Sequence, residues 1–305
     1  MKAVRFDKYG GRDVLYIANV EVPSPAAGEV VVQVKAAALN PGEASIREGY
    51  LDAAFPTTFP SGEGSDLAGV VTAVGDGVTE FSVGDEVLGW SWTRSSHAEY
   101  TAVPVSQLIP KPASVPWPVA GALYVVAATA YAAVRAVAAG PGDTVVVSAA
   151  AGGVGTVVVQ LLKVKGASVI GIASQAHHEW LTTHGVTPVA YGDGLADRLR
   201  AAAPDGIDAF IDLFGPEYVR LAVELGVPRD RIETIIAFDA AREYGTKAEG
   251  SGTASTTGVL AEMTGLVADG LIEIPIAASY PLDHVQQAYA EVEQRHTLGK
   301  VVLIP

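Results

Sequence analysis

The residues with the most chemical content are among the smallest. Thr144-Val145-Val146-Val147-Ser148 is a β-branched run that enters Ala149-Ala150-Ala151-Gly152-Gly153-Val154-Gly155, and apolar residues at Val154, Val157, Val158, Leu161 and Leu162 predict a helix directly after it. A strand that turns through glycines into a helix N-terminus suits a dinucleotide pyrophosphate. The turn lets the phosphates approach the backbone, and the helix end offers free N–H groups and partial positive charge. The pattern reads Ala-x-Gly-x-x-Gly, with Ala150 where a first glycine is usual. Gly152 allows the close approach, and Gly155 lets helix and strand pack. Ala151, Gly152, Gly153, Val154 and Gly155 are therefore the expected cofactor-binding loop.

The next strand, expected at 168–173, decides between the two nicotinamide cofactors. A site for NAD places Asp or Glu at that strand's end to hold the ribose 2′-hydroxyl. Here the chain continues Ala173-Ser174-Gln175, with no carboxylate until Glu179. A carboxylate would also repel a 2′-phosphate, so its absence favours NADPH. Ser174 can donate a hydrogen bond. His177 and His178 can add donors, or charge at lower pH; each also suits an exposed helix position. Tyr191, after the third strand, and Phe238, beyond the fifth, complete the expected cofactor set. No Arg or Lys lies in the stretch after Ser174, so a modest phosphate clamp is expected.

Such a loop needs a parallel sheet to hold it. Strand-like runs at 144–148, 168–173, 187–190, 207–213 and 231–237 alternate with helix-like runs at 154–165, 175–184, 195–203, 216–225 and 255–269. That alternation predicts a parallel sheet covered by helices on both faces. Upstream of about residue 118, short β-branched runs at 2–6, 29–38, 69–74 and 97–103 lie between Gly, Pro and Asp turns, the pattern of an antiparallel β domain. After 272 come a strand, a helix over 282–295 and a final strand over 300–304. This tail is expected to complete the first domain. The division is then 1–118 plus 276–305 for the β-rich domain and 119–275 for the nucleotide-binding domain. Residues 272–275 are expected to form the last strand of the parallel sheet, an edge that would pair with its twin in a homodimer.

Composition narrows the partners. A chain of 305 residues exceeds what one core usually organises, so two domains are expected. The 34 acidic and 20 basic residues give a net charge of -14, which repels phosphate backbones and anionic membranes. Neither nucleic acid nor membrane is expected as a partner. There is no cysteine, which excludes disulfides and thiolate metal sites. The uncharged stretches 112–134 and 144–162 are broken by prolines and glycines, so neither reads as a membrane helix. The opening MKAVRFDKYGG scatters charge through what a signal peptide keeps apolar, and a cytoplasmic location is expected.

Several segments, in order, resemble the medium-chain dehydrogenase/reductase superfamily in its zinc-free quinone oxidoreductase (zeta-crystallin-like) branch. They are Ala36-Ala37-Ala38-Leu39-Asn40-Pro41, Ile46-Arg47-Glu48-Gly49, Gly64-Ser65-Asp66-Leu67-Ala68-Gly69, Phe81-Ser82-Val83-Gly84-Asp85, Gly121-Ala122-Leu123 with Thr129-Ala130-Tyr131, the glycine loop, and Gly299-Lys300-Val301-Val302-Leu303. The resemblance implies an α/β fold: a GroES-like β-rich catalytic domain plus a Rossmann doubly wound parallel-sheet domain, with the active site in the cleft between them. Zinc-dependent members carry a cysteine where Asn40 stands, and Gly-His-Glu where Gly64-Ser65-Asp66 stands, so a zinc-free enzyme is implied. Without a Lewis acid, hydride transfer to a quinone or an α,β-unsaturated carbonyl (an enone) is easier than alcohol oxidation, because charge delocalises over an enolate or hydroquinone.

By the same resemblance Asn40 and Thr129 line the nicotinamide end, and Tyr50 caps the pocket or donates a proton. Each also has a plainer use: Asn40 before Pro41 in a turn, Thr129 in a helix core, Tyr50 in apolar packing. Ser45 stands near a position where the family commonly has a bulky polar residue, which implies a different, wider pocket. His97 reads as structural. The alternative function is an NADPH-binding sensor or structural protein with little turnover.

Overall fold

A computed structural model describes residues 1–305 and divides them into two compact units. The first comprises Met1–Val125, Thr256–Ala268 and Ile276–Pro305; the second comprises Val126–Ser255 and Asp269–Pro275. In chain order the first unit supplies β1 (Lys2–Arg5), β2 (Tyr16–Asn19), β3 (Glu29–Ala38), α1 (Pro41–Arg47), β4 (Asp66–Val74), β5 (Glu86–Trp90), β6 (Tyr100–Pro104), β7 (Leu108–Pro110) and α2 (Trp117–Ala120). The boundary falls inside α3 (Leu123–Ala136). The second unit supplies β8 (Thr144–Val147), α4 (Gly153–Val164), β9 (Ser168–Ala173), α5 (His178–Thr183), β10 (Thr187–Ala190), α6 (Leu195–Ala202), β11 (Ala209–Asp212), α7 (Pro216–Glu224), β12 (Ile232–Thr234) and α8 (Phe238–Tyr244). The first unit resumes with α9 (Thr257–Ala268), β13 (Ile276–Pro281), α10 (Val285–Glu293) and β14 (Lys300–Ile304). No helix is long and apolar enough to cross a membrane.

Two segments expected in the second unit, 119–125 and 256–268, group with the first. The reason is local: α3 runs unbroken across the boundary, and α9 packs on β7.

In the first unit β3 is the organising strand. It is almost wholly buried, pairs with β4 and β6, and meets β14 antiparallel at Val302↔Ala38. The chain's last strand thus lies beside the start of α1. One core gathers Val30, Val32, Leu67, Val71, Val87 and Val103; another gathers Phe6, Leu39, Leu282, Tyr289 and Leu303.

In the second unit five parallel strands run in the order β10-β9-β8-β11-β12. The chain leaves β8 in one direction and later returns to its other side, which makes the carboxyl end of β8 a topological switch point. Val146, Ile170, Ile172, Leu199, Phe210, Val219 and Ile232 fill the core.

Residues 272–275 do not form the expected strand, so the sheet edges are β10 and β12. The Gln160 side-chain amide meets the main chain of Glu273 on both sides: Nε2 donates to its carbonyl at 2.9 Å, and its N–H donates to Oε1 at 2.9 Å. One side chain thereby satisfies the groups a strand partner would have taken, and Pro275 has no N–H to extend a ladder.

Candidate functional site

Between β8 and α4 the chain turns through Ala149, which takes a left-handed φ of 47°. Such a conformation in a residue with a Cβ stores backbone strain and marks a shaped turn. Gly152 N–H closes the turn onto the Ala149 carbonyl at 2.9 Å, and Ala150 N–H reaches the Ile172 carbonyl in β9 at 3.0 Å. At Gly155 a Cβ would stand 2.1 Å from the Ala149 oxygen and 2.8 Å from the Ala150 carbonyl carbon, so only glycine lets α4 lie this close to the turn. At Gly152 the same atom would meet only the Ala149 oxygen, at 3.3 Å. Gly152 is the N-cap of α4, with no side-chain cap. The first N–H groups of a twelve-residue helix are left to a ligand or water. The structure therefore places Ala151, Gly152, Gly153, Val154 and Gly155 together at the switch point.

The loops after the neighbouring strands share this edge. Ser174 follows β9 directly, and its side chain does not cap the short turn that follows. His178 lies 3.4 Å through Nε2 from the Ala173 carbonyl, which makes that nitrogen a donor. Ala190, the last residue of β10, is in register with Ala173 of β9, so Tyr191 emerges beside Ser174. Tyr191 and Phe238 are about half exposed, as are Phe214 after β11 and Ile236 after β12. All four follow the carboxyl ends of strands in the sheet that carries the glycine turn.

At the end of β11 itself, Asp212 is fully buried. Its carboxylate accepts the Ser148 hydroxyl at 2.7 Å, the Thr234 hydroxyl at 2.7 Å, and the N–H groups of Phe214 and Gly215 at 2.9 and 3.1 Å. Burial pushes this carboxyl above its ordinary pKa, against the pull of those donors. Arg198 of α6 folds back over the end of β10, donating to the carbonyls of Ala190, Gly192 and Asp193. Asp212, Arg198, Phe214 and Ile236 escaped the sequence reading. The Asp-x-x-Gly at a strand end was the available signal for Asp212, and Arg198 lies too far along the chain from Ser174 to suggest contact.

In the first unit, Asn40 is the N-cap of α1 and only 5% exposed. Its Nδ2 donates to Glu43 Oε1 at 3.1 Å and to Asp66 Oδ2 at 2.9 Å, while Oδ1 accepts from Lys300 Nζ at 2.6 Å. Glu43 also accepts the N–H groups of Asn40 and Ser65 and the Tyr289 hydroxyl. Asp66 accepts Val125 N–H at 2.7 Å and lies 3.6 Å from Lys300. Burial raises the Asp66 pKa, and the ammonium opposes the shift. Arg47 lies over the Tyr289 ring and pairs with Glu63 at 2.8 Å. Burial still pushes Glu63 up to about 7. His97 donates from Nε2 to the Ala38 carbonyl at 3.0 Å, and burial lowers its pKa. Tyr50, 79% exposed in the turn after α1, stays outside this network. Thr129 is buried in the part of α3 that belongs to the second unit.

This donor set does not suit zinc. The Asn40 amide presents N–H groups to both carboxylates, an ammonium sits 3.6 Å from Asp66, and the chain has no thiolate to offer.

Residues 26–113 match the alcohol dehydrogenase GroES-like domain, and residues 184–303 match the zinc-binding dehydrogenase family. The chain is 30% identical to the chloroplastic NADPH-dependent alkenal/one oxidoreductase of Arabidopsis thaliana, over all of this chain and 80% of that protein. It is 26% identical to the quinone oxidoreductase of Rattus norvegicus, over 100% and 98% of the two chains. The solved quinone oxidoreductase of Coxiella burnetii superposes with a TM-score of 0.90 at 27% identity, covering 100% of this chain and 99% of that one.

Proposed function

The chain belongs to the quinone oxidoreductase branch of the medium-chain dehydrogenase/reductase superfamily, and from that premise we propose a zinc-independent, NADPH-dependent reductase of quinones or α,β-unsaturated carbonyls. The observation that carries the reading is the uncapped N-terminus of α4, opening onto a turn where Gly155 admits no Cβ. A pyrophosphate held there meets main-chain N–H groups and the positive end of a helix dipole. Ser174, His177, His178 and Tyr191 surround the ribose 2′-phosphate. No carboxylate ends β9 to repel it, and the Arg198 guanidinium at the end of β10 adds positive charge nearby. Phe238 packs on the cofactor from the last loop of the sheet.

When bound, NADPH supplies the hydride. Thr129 fixes the nicotinamide face, and Tyr50 closes over the acceptor. Asn40 serves as a positioning residue: both of its amide hydrogens are committed to Glu43 and Asp66, so it shapes the acceptor end rather than donating freely. Catalysis then rests on holding donor and acceptor carbon in near-attack geometry, since a conjugated acceptor delocalises the charge it receives.

Steady-state NADPH oxidation with an ortho-quinone and with a reactive enone tests this. Turnover with either acceptor, faster with NADPH than NADH, is the expected result. Tight NADPH binding with no turnover of any conjugated acceptor would overturn it in favour of a sensing or structural role.

A further inference from the structure

We infer that Trp92 is the stacking platform for the acceptor and makes the site selective for planar, polycyclic quinones over small aliphatic enones; this rests on the reductase reading above. Trp92 is 51% exposed, whereas its neighbours Trp90 and Tyr124 are each 3% exposed. Those two rings stack at 4.5 Å with an 11° interplanar angle. The Trp92 ring plane stands perpendicular to both, at 6.4 Å and 82° and at 6.2 Å and 88°. The packed pair abuts Trp92 from one side and leaves about half of its surface to solvent.

The turn carrying Trp92 is built to hold it still. Ser91 Oγ lies 2.9 Å from both Thr93 Oγ1 and Ser95 Oγ, those two are 3.0 Å apart, and Ser95 reaches Thr101 at 2.6 Å. Trp92 N–H donates to Gln107 Oε1 at 3.1 Å, and Arg94 N–H closes the turn onto the Ser91 carbonyl at 3.1 Å. A large apolar ring left in water on a loop this braced is costly unless a ligand covers it.

Its position ties it to the acceptor end. Ser91 N–H donates to the Ser65 carbonyl at 2.8 Å, and Ser65 N–H donates to the same Glu43 oxygen that holds the Asn40 amide. Trp90 is the cross-strand partner of Asp66, which takes the other Asn40 hydrogen. The segment carrying the indole is thus linked to Asn40 by three successive hydrogen bonds, through Ser91, Ser65 and Glu43. An electron-rich indole favours an extended, electron-poor quinone ring over a short enone, because stacking grows with shared π-surface.

The test uses the full-length protein, a tricyclic ortho-quinone, a four-carbon enone, and the variants Trp92→Ala and Trp92→Phe. The ratio of kcat/KM for quinone over enone should fall about tenfold in Trp92→Ala, mainly through the quinone KM, and recover largely in Trp92→Phe. An unchanged ratio overturns the inference, as does a parallel loss with both acceptors. If the wild type reduces neither compound, the reductase reading fails, and equilibrium dialysis of the quinone still decides. Binding weakened about tenfold by Trp92→Ala supports the platform; equal binding, or none to the wild type, overturns it.

Discussion

Ser148 donates its hydroxyl to Asp212 at 2.7 Å, which ties the strand that launches the glycine turn to its neighbour in the sheet. Through Thr234 the same carboxylate reaches β12, whose hydroxyl in turn accepts the N–H groups of Ile236 and Ala237. One buried carboxylate therefore sets three loops of the cofactor edge. Asp212→Ala would strand four donors without an acceptor and should cost about 3 kcal/mol or more. Asp212→Asn keeps one oxygen but turns N–H groups on Thr234, so it should lose less stability while weakening NADPH binding. Urea unfolding and a cofactor titration on both variants check this.

Gly152 and Gly155 should separate folding from binding. Gly155→Ala drives a Cβ into main-chain atoms that cannot move aside, so a loss of about 3 kcal/mol or more is expected. Gly152→Ala meets a single contact at 3.3 Å and should stay within about 1 kcal/mol of the parent. Its methyl nevertheless intrudes where the pyrophosphate approaches. Thermal unfolding should therefore show a near-normal midpoint for Gly152→Ala and a reduced shift with NADPH. The parent at about a hundred times its Kd should gain roughly 2.7 kcal/mol.

The strands β3, β9, β10 and β14 were legible to the residue, because β-branched runs bounded by Gly, Pro and Asp leave little choice. The glycine turn was legible because strand, turn and helix follow one another locally. The buried polar centre was not. Asn40 and Lys300 are 260 residues apart, and nothing in either neighbourhood predicts that an ammonium meets an amide. The missing strand at 272–275 has the same origin: its hydrogen-bonding groups go to Gln160, a side chain 113 residues earlier. Helix α8 also went unread, since its short run Phe238-Asp239-Ala240-Ala241 follows a strand without a clear cap. Local periodicity reports elements; it does not report which distant side chain completes a backbone.

Arg198 should contribute to cofactor choice. Its guanidinium holds the loop after β10, in register with the residue before Ser174. Arg198→Gln removes a partly exposed charge, worth on the order of 1 kcal/mol toward a 2′-phosphate. The ratio of NADH to NADPH Kd should fall about fivefold, measured by titration of both cofactors. A proportional loss for both would assign Arg198 to loop structure alone.

Stability should fall as pH rises toward 8. Glu233 is buried in β12 with Oε2 unpaired, and desolvation pushes its carboxyl up to about 8, against the N–H it accepts from Glu249. Between the unfolded value near 4.5 and about 8 the folded state holds a proton that the unfolded state has released. The contribution is therefore full below that window and lost through it. Glu63, at about 7, acts in the same direction. Glu233→Gln keeps the acceptor for Glu249 and removes the charge, so its urea midpoint should flatten between pH 5 and 8 and exceed the parent's at pH 8.

The Lys300–Asp66 contact should behave as a buried charge pair whose halves depend on each other. At 3.6 Å, with both side chains nearly inaccessible, the ammonium offsets two carboxylates, Asp66 directly and Glu43 through Asn40. Lys300→Met leaves those charges uncompensated and should cost about 3–5 kcal/mol. Asp66→Asn removes one of them but also an acceptor for Val125 and Asn40, and should cost less. The double variant should then be more stable than the sum of the single losses predicts, because each change removes the penalty left by the other. Urea unfolding of all four proteins at pH 7 measures the coupling. Strict additivity would mean that Lys300 stabilises the fold through its bonds to the Leu39 carbonyl and to Asn40 Oδ1, without coupling to Asp66.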